Sequence, residues 1–140
     1  MTRLEFVSMS LSKGLKGVVS IDGEQEIVTL KSIDTDGNEI WVSSDNWVYS
    51  SLNYDIKIIC RKLSDLTNSD TKSIGFKVRL DVANASNNGD WILLLNGGFN
   101  LKTSPFYVIE ILVKNHFDIA DLIEKGEAID VNTLEVNPYK

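Results

Sequence analysis

The sequence predicts a mainly β fold, a sandwich or barrel of roughly seven to nine short, mostly antiparallel strands with one short C-terminal amphipathic helix. Three observations predict it. Apolar and polar residues alternate with a period of two along most of the chain, clusters of Asn, Asp and Gly punctuate the runs, and helical spacing of apolar residues is confined to one segment.

Glu26–Ile33 and Glu39–Ser43 are β-rich runs separated by Asp34-Thr35-Asp36-Gly37-Asn38, where Asp and Asn favour a turn and Gly37 accepts positive φ, so they read as a hairpin. Trp47–Ser51 and Asp55–Leu63 read as two further strands, and the Ser, Thr, Asn and Asp of Ser64–Lys72 mark an exposed loop. Phe76, Val78, Leu80 and Val82 alternate with Lys77, Arg79 and Asp81, which predicts a strand with one buried face. Asn87-Asn88-Gly89-Asp90 then leads into a strand at Trp91–Leu95, ended by Asn96-Gly97-Gly98. Phe106–Val113 is apolar throughout and rich in β-branched and aromatic residues, which predicts a central strand, with a buried helix as the alternative. Phe117, Ile119, Leu122 and Ile123 fall at helical spacing between acids and before Gly126, so Phe117–Lys125 reads as the amphipathic helix. Ile129–Val136 reads as a last short strand.

A chain of 140 residues, 43% hydrophobic and 24% charged, has the size and balance of one domain spanning 1–140. The first residues lack the apolar stretch of a secretory signal and no run approaches the ~20 residues of a membrane span, so a cytoplasmic, non-membrane protein is expected. Cys60, the single cysteine, lies in the alternation Ile56-Ile58-Cys60 and reads as a buried inert thiol.

The net charge of −6 argues against direct nucleic-acid binding, which needs clustered cations. Charge is segregated: seven acids against one base in Asp22–Asp45, six bases against two acids in Lys57–Arg79, and six acids against one base in Asp118–Glu135. Acidic surfaces of this kind attract basic partners.

Residue types suited to catalysis are scarce. His116 is the single histidine and is expected at the start of the C-terminal helix, where the helix dipole disfavours a cation. Glu110 is the one acid inside an apolar run, where desolvation suits a carboxyl to general-acid work, although a basic partner explains it equally well. Asp34, Asp36 and Asn38 alternate like the ligands of a calcium loop, but the sixth position is Glu39 where that loop requires Gly. Gly14-Leu15-Lys16-Gly17 lacks phosphate-loop spacing and reads as a turn.

These features predict a non-catalytic protein-binding module without cofactor or metal, of the small acidic inhibitor or immunity and anti-defence type, covering a basic site on another protein. Its partner-binding residues are expected to be Asp34, Asp36, Glu39, Asp118, Asp121 and Glu124. The alternatives are a carbohydrate or small-ligand module using the aromatics Trp41, Trp47, Tyr49 and Tyr54, and a subunit of a phage or other particle.

Overall fold

The computed structural model describes residues 1–45, 47–85 and 100–140. The chain forms two compact units, one from Met1–Cys60 with Ala120–Lys140 and one from Arg61–Ile119. Among the described residues, the first contains α1 (Arg3–Met9), β1 (Lys16–Ile21), β2 (Glu24–Asp34), β3 (Glu39–Ser43), β4 (Val48–Ser50), β5 (Asp55–Cys60) and β6 (Ala128–Asp130). The mainly β reading holds, with some helix: these strands make one six-stranded sheet in the order β4-β3-β2-β1-β5-β6, antiparallel except for the β5–β6 pair.

Local chemistry explains how the sheet starts. Thr2 and Glu5 form a reciprocal capping box, the Thr2 hydroxyl accepting from Glu5 N and the Glu5 carboxylate from Thr2 N, and this nucleates α1. The helix buries Phe6 and Val7. Asp22 and Gly23, at φ 51° and 83°, form the two-residue turn between β1 and β2, a geometry that Asp-Gly pairs favour. Strand β1 itself was not foreseen, because Gly14 and Gly17 together suggested a turn. Gly14 has φ 70°, as a turn requires, but Gly17 lies inside β1, where a Cβ would stand 2.9 Å from the Lys57 carbonyl oxygen of β5.

Strand β2 links the two halves of the sheet. Its Glu24–Thr29 segment pairs with β1 and its Thr29–Asp34 segment with β3, with a register shift between Leu30 and Ser32. Such an irregularity bends a strand and increases its twist. The link from β4 to β5 then requires the sheet to curl. In a flat sheet those strands, four places apart, would stand about 19 Å from each other. Yet only Ser51–Tyr54 join them, in a closed turn where Asn53 N and Tyr54 N both donate to Ser50 O at 3.1 and 3.0 Å. A turn so tight brings its ends to within several ångströms.

Register and alternation place Val19, Val28, Leu30, Ile40, Val42, Ile56 and Ile58 on one face, and all are buried. Burying each such side chain contributes about 1.5–3 kcal/mol, so this face is the main apolar support of the curl. On the opposite face Val18 and Ile59 pack with Val131, Ile129, Leu134 and Tyr139. The Tyr139 hydroxyl accepts from Lys16 N at 2.9 Å and donates to Ile59 O at 2.7 Å, fastening the C-terminal segment to β1 and β5.

The second unit contains a 3₁₀ turn at Leu63–Thr67, α2 (Ile74–Ala85) and α3 (Phe106–Lys114), with Arg61 and Phe117 in a parallel bridge. Two expected strands are therefore helices. In α2 the buried positions are Gly75, Val78, Arg79 and Val82, a helical spacing that places Leu80 in solvent and Arg79 inside, and the Ser73 hydroxyl accepts from Phe76 N at the first turn. The alternation from Phe76 to Val82 fits a strand, but the cap at Ser73 and the burial of Gly75, Val78, Arg79 and Val82 belong to a helix. In α3 the exposed residues Phe106, Glu110 and Lys114 recur every fourth position, a stripe that β propensity conceals. Conversely, the expected C-terminal helix at Phe117–Lys125 is a series of turns, with Asp121 at φ 55° and Gly126 at φ 76°. The last expected strand is shorter, ending at Asp130 before a 3₁₀ turn at Val131–Thr133. The strand at Trp91–Leu95 and its hairpin lie outside the described residues.

Two substitutions test this packing. Tyr139→Phe leaves Lys16 N and Ile59 O without their hydroxyl and should lower unfolding free energy in urea by about 1–3 kcal/mol. Gly75→Ala places a Cβ 2.0 Å from the Asp65 carbonyl oxygen, so it should lower stability by at least about 1–3 kcal/mol, whereas Ala at an unobstructed surface site such as Ser12 should leave it within about 0.5 kcal/mol.

Candidate functional site

Strand β3 ends before β2 does. Its pairing with β2 starts at Thr29–Ser43, so among the described residues Glu24–Val28 have a strand neighbour on the β1 side alone. Leu30 N donates toward Leu15 on the β1 side, and backbone groups alternate along a strand. The N–H and C=O of Ile27 and Gln25 therefore point to the side where β3 has stopped. Two shallow grooves, of about 450 and 560 Å³, run along this edge and share Glu26. The wall of the first is the segment Ser43–Asp45.

The electrostatics of the edge are acidic. Asp22, Glu24, Glu26 and Asp45 line the grooves against one cation, Lys16, whose ammonium donates to Thr29 Oγ1 at 2.8 Å. Glu26 is held in place by Tyr49, whose hydroxyl donates to its carboxylate at 3.1 Å. Tyr49 is 7% exposed and meets Tyr54 edge-on, with ring centroids 4.9 Å apart. Burial and then the Glu26 carboxylate push the Tyr49 phenol above its ordinary value of 10.0. Beyond the wall, Trp47 is 67% exposed, and Val48, Leu52 and Tyr54 are exposed as well. No family model, curated protein or solved structure matches the chain. The site must therefore be read from its own chemistry.

The residues singled out from sequence are dispersed. Asp34, Asp36 and Glu39 occupy the β2–β3 hairpin, where Asp34 Oδ1 accepts from Asp36 N and Gly37 N, both at 3.1 Å, and the Glu39 carboxylate accepts from the Ser50 hydroxyl. The Asp34 carboxylate thus closes the turn, and that of Glu39 ties β3 to β4. Asp121 and Glu124 are exposed in the turns before β6. Within the first unit they lie near the start of β6, while the hairpin lies at the far end of β2, with β1 and β5 between. Asp118, in the second unit, is 6% exposed and its N–H donates to Arg61 O at 2.9 Å, so it contributes nothing to a surface.

The aromatic set divides: Tyr49 is buried, Trp41 half-buried, and Trp47 and Tyr54 exposed. His116 follows the C-terminal end of α3 at φ 65°, the opposite helix end from the one expected, and its carbonyl accepts from Arg61 N at 2.8 Å. Glu110 is exposed on α3, so the desolvation that general-acid work needs is missing. Cys60 is buried in β5. Among the described residues no three His, Cys, Asp or Glu side chains cluster to hold a metal, and no helix is long and apolar enough to cross a membrane.

Sequence reasoning missed Glu26, Gln25 and Ile27 as site residues. A signal existed: the two runs forming the hairpin differ in length, so one must extend beyond the other.

The tyrosine gives a test with a defined sign. Because folding raises the phenol's pKa, its contribution to stability is present below about pH 10 and is lost as pH rises past it. Tyr49→Phe should flatten the alkaline fall in stability measured by urea unfolding between about pH 9 and 11.

Proposed function

We propose that this chain is a non-catalytic protein-binding module that recognises a basic, partly apolar surface on another protein. The observation that carries the reading is the coincidence of exposed Trp47, Val48, Leu52 and Tyr54 with a stretch, Ser32–Ile56, that holds five acids (Asp34, Asp36, Glu39, Asp45 and Asp55) and no Lys or Arg. Large exposed aromatic and aliphatic side chains are the anchors of protein interfaces, and the surrounding acids steer a cationic partner and reject an anionic one.

The finer reading is an acidic inhibitor of the immunity or anti-defence type, working in the cytoplasm and covering a basic functional site on its target. Charge segregation along the chain supports it. The finer fold reading is a small, partly open barrel. It is supported by the tight Ser51–Tyr54 link and by the way β2 passes from β1 to β3.

Affinity capture followed by titration tests the function. Trp47→Ala should weaken the captured complex by about 2 kcal/mol. Reversing Asp34 and Asp36 to Lys should slow association and reduce its dependence on salt. A complex indifferent to salt and to all three changes would sink the proposal, and a fluorescence response of Trp47 to a panel of glycans would favour the carbohydrate alternative instead.

A further inference from the structure

The β2 edge has the properties of an acceptor for an added strand. Ile27 and Gln25 present outward backbone groups for which β3 supplies no partner, and Ile27 is 44% exposed, so both the hydrogen-bonding edge and an apolar side chain are open. On one face of this edge stand Glu24 and Glu26, and on the other Gln25, Ile27 and Thr29. The groove beside it is walled by Ser43–Asp45, where β3 turns away toward β4. We propose that the unpaired Glu24–Val28 edge of β2 binds an extended segment of a partner protein as an additional strand, continuing the line of β3, with alternating basic and apolar residues.

Directly opposed residues on neighbouring strands lie about 4.5–5.5 Å apart and share a face. A basic side chain of the incoming segment therefore falls opposite Glu24 or Glu26, and an apolar one opposite Ile27. Register, charge and apolarity together specify the occupant: main-chain hydrogen bonds supply affinity and the alternating side chains supply selectivity. Four carboxylates against one ammonium along the grooves fit a cationic strand and repel an acidic one. Tyr49 has a positioning role here, since its hydroxyl holds Glu26 toward the groove.

This inference rests on the protein-binding reading and specifies its geometry. The probe is a synthetic peptide of about seven residues alternating Lys and Val, added to the full chain, with amide hydrogen exchange followed residue by residue. Binding should slow exchange at Gln25 and Ile27 by about tenfold or more. A peptide of the same sequence with N-methylated alternate amides, unable to donate toward β2, should bind at least about tenfold more weakly. Ile27→Pro removes one outward N–H without removing a bond to β1, and should weaken binding in the same way.

Several results overturn strand addition: equal binding of the methylated peptide, protection elsewhere than Gln25 and Ile27, no binding of the alternating peptide, or protection of these amides by a second copy of the chain at high concentration without peptide. Failure of the wider reading is distinguishable from all of these. In that case charge reversal at Asp34 and Asp36 and loss of Trp47 leave the captured complex unchanged, whatever the peptide does.

Discussion

The four residues Ser51–Tyr54 impose the constraint on which the first unit depends. They close the distance between two strands that a flat sheet would hold far apart, so the backbone must bend, and the two carbonyl-directed hydrogen bonds to Ser50 O fix the turn that does it. The apolar face inside the curl follows from that closure. Val19, Val28, Leu30, Ile40, Val42, Ile56 and Ile58 leave water because the sheet curls over them, and Gly17 lets β1 approach β5 closely. Long β2 accommodates the bend by changing partner at Thr29. The cost of that arrangement is an edge: where β2 outruns β3, backbone groups are left facing a groove.

How much of this was legible depended on which force dominates locally. The β2–β3 hairpin could be read because its signals are short-range: Asp34 accepts from the turn's own amides, and alternation on both sides agrees with the pairing. The capping box of Thr2 and Glu5 was equally local and went unread. By contrast, Phe76–Val82 and Phe106–Val113 were ambiguous in principle. The first alternates as a strand would and the second is apolar throughout, and the decision lies in tertiary burial of Arg79 and Val82 in one case, and of Val108, Leu112 and Val113 in the other. Propensity alone does not resolve such segments. At Phe117–Lys125 the helical spacing is real but the backbone at Asp121 takes positive φ, which no helix continues through.

The candidate site was legible in its charge and illegible in its shape. Acid segregation is a property of the sequence, but the convergence of Glu26, Asp45 and Tyr49 requires the register of three strands. The same register separates the hairpin acids from Asp121 and Glu124, while burial removes Asp118. One acidic surface made from both charged segments therefore gives way to a narrower one on β2, with exposed Trp47 and Tyr54 on either side of β4 in the chain. It presents backbone groups, carboxylates and apolar side chains side by side.

The parallel pairing of β6 with β5 has a consequence for how the chain acquires its structure. Strands β1–β5 are consecutive and complete their pairing by Cys60, whereas Ile58 finds Ala128 only after Arg61–Ile119 has been made. Closing so long a loop carries an entropic penalty that grows with the logarithm of its length and slows the step that needs it. A nascent chain leaving the ribosome thus possesses the five curled strands β1–β5 well before its sixth strand exists. During that interval the outer edge of β5 is uncovered, and Lys16 N and Ile59 O await the Tyr139 hydroxyl.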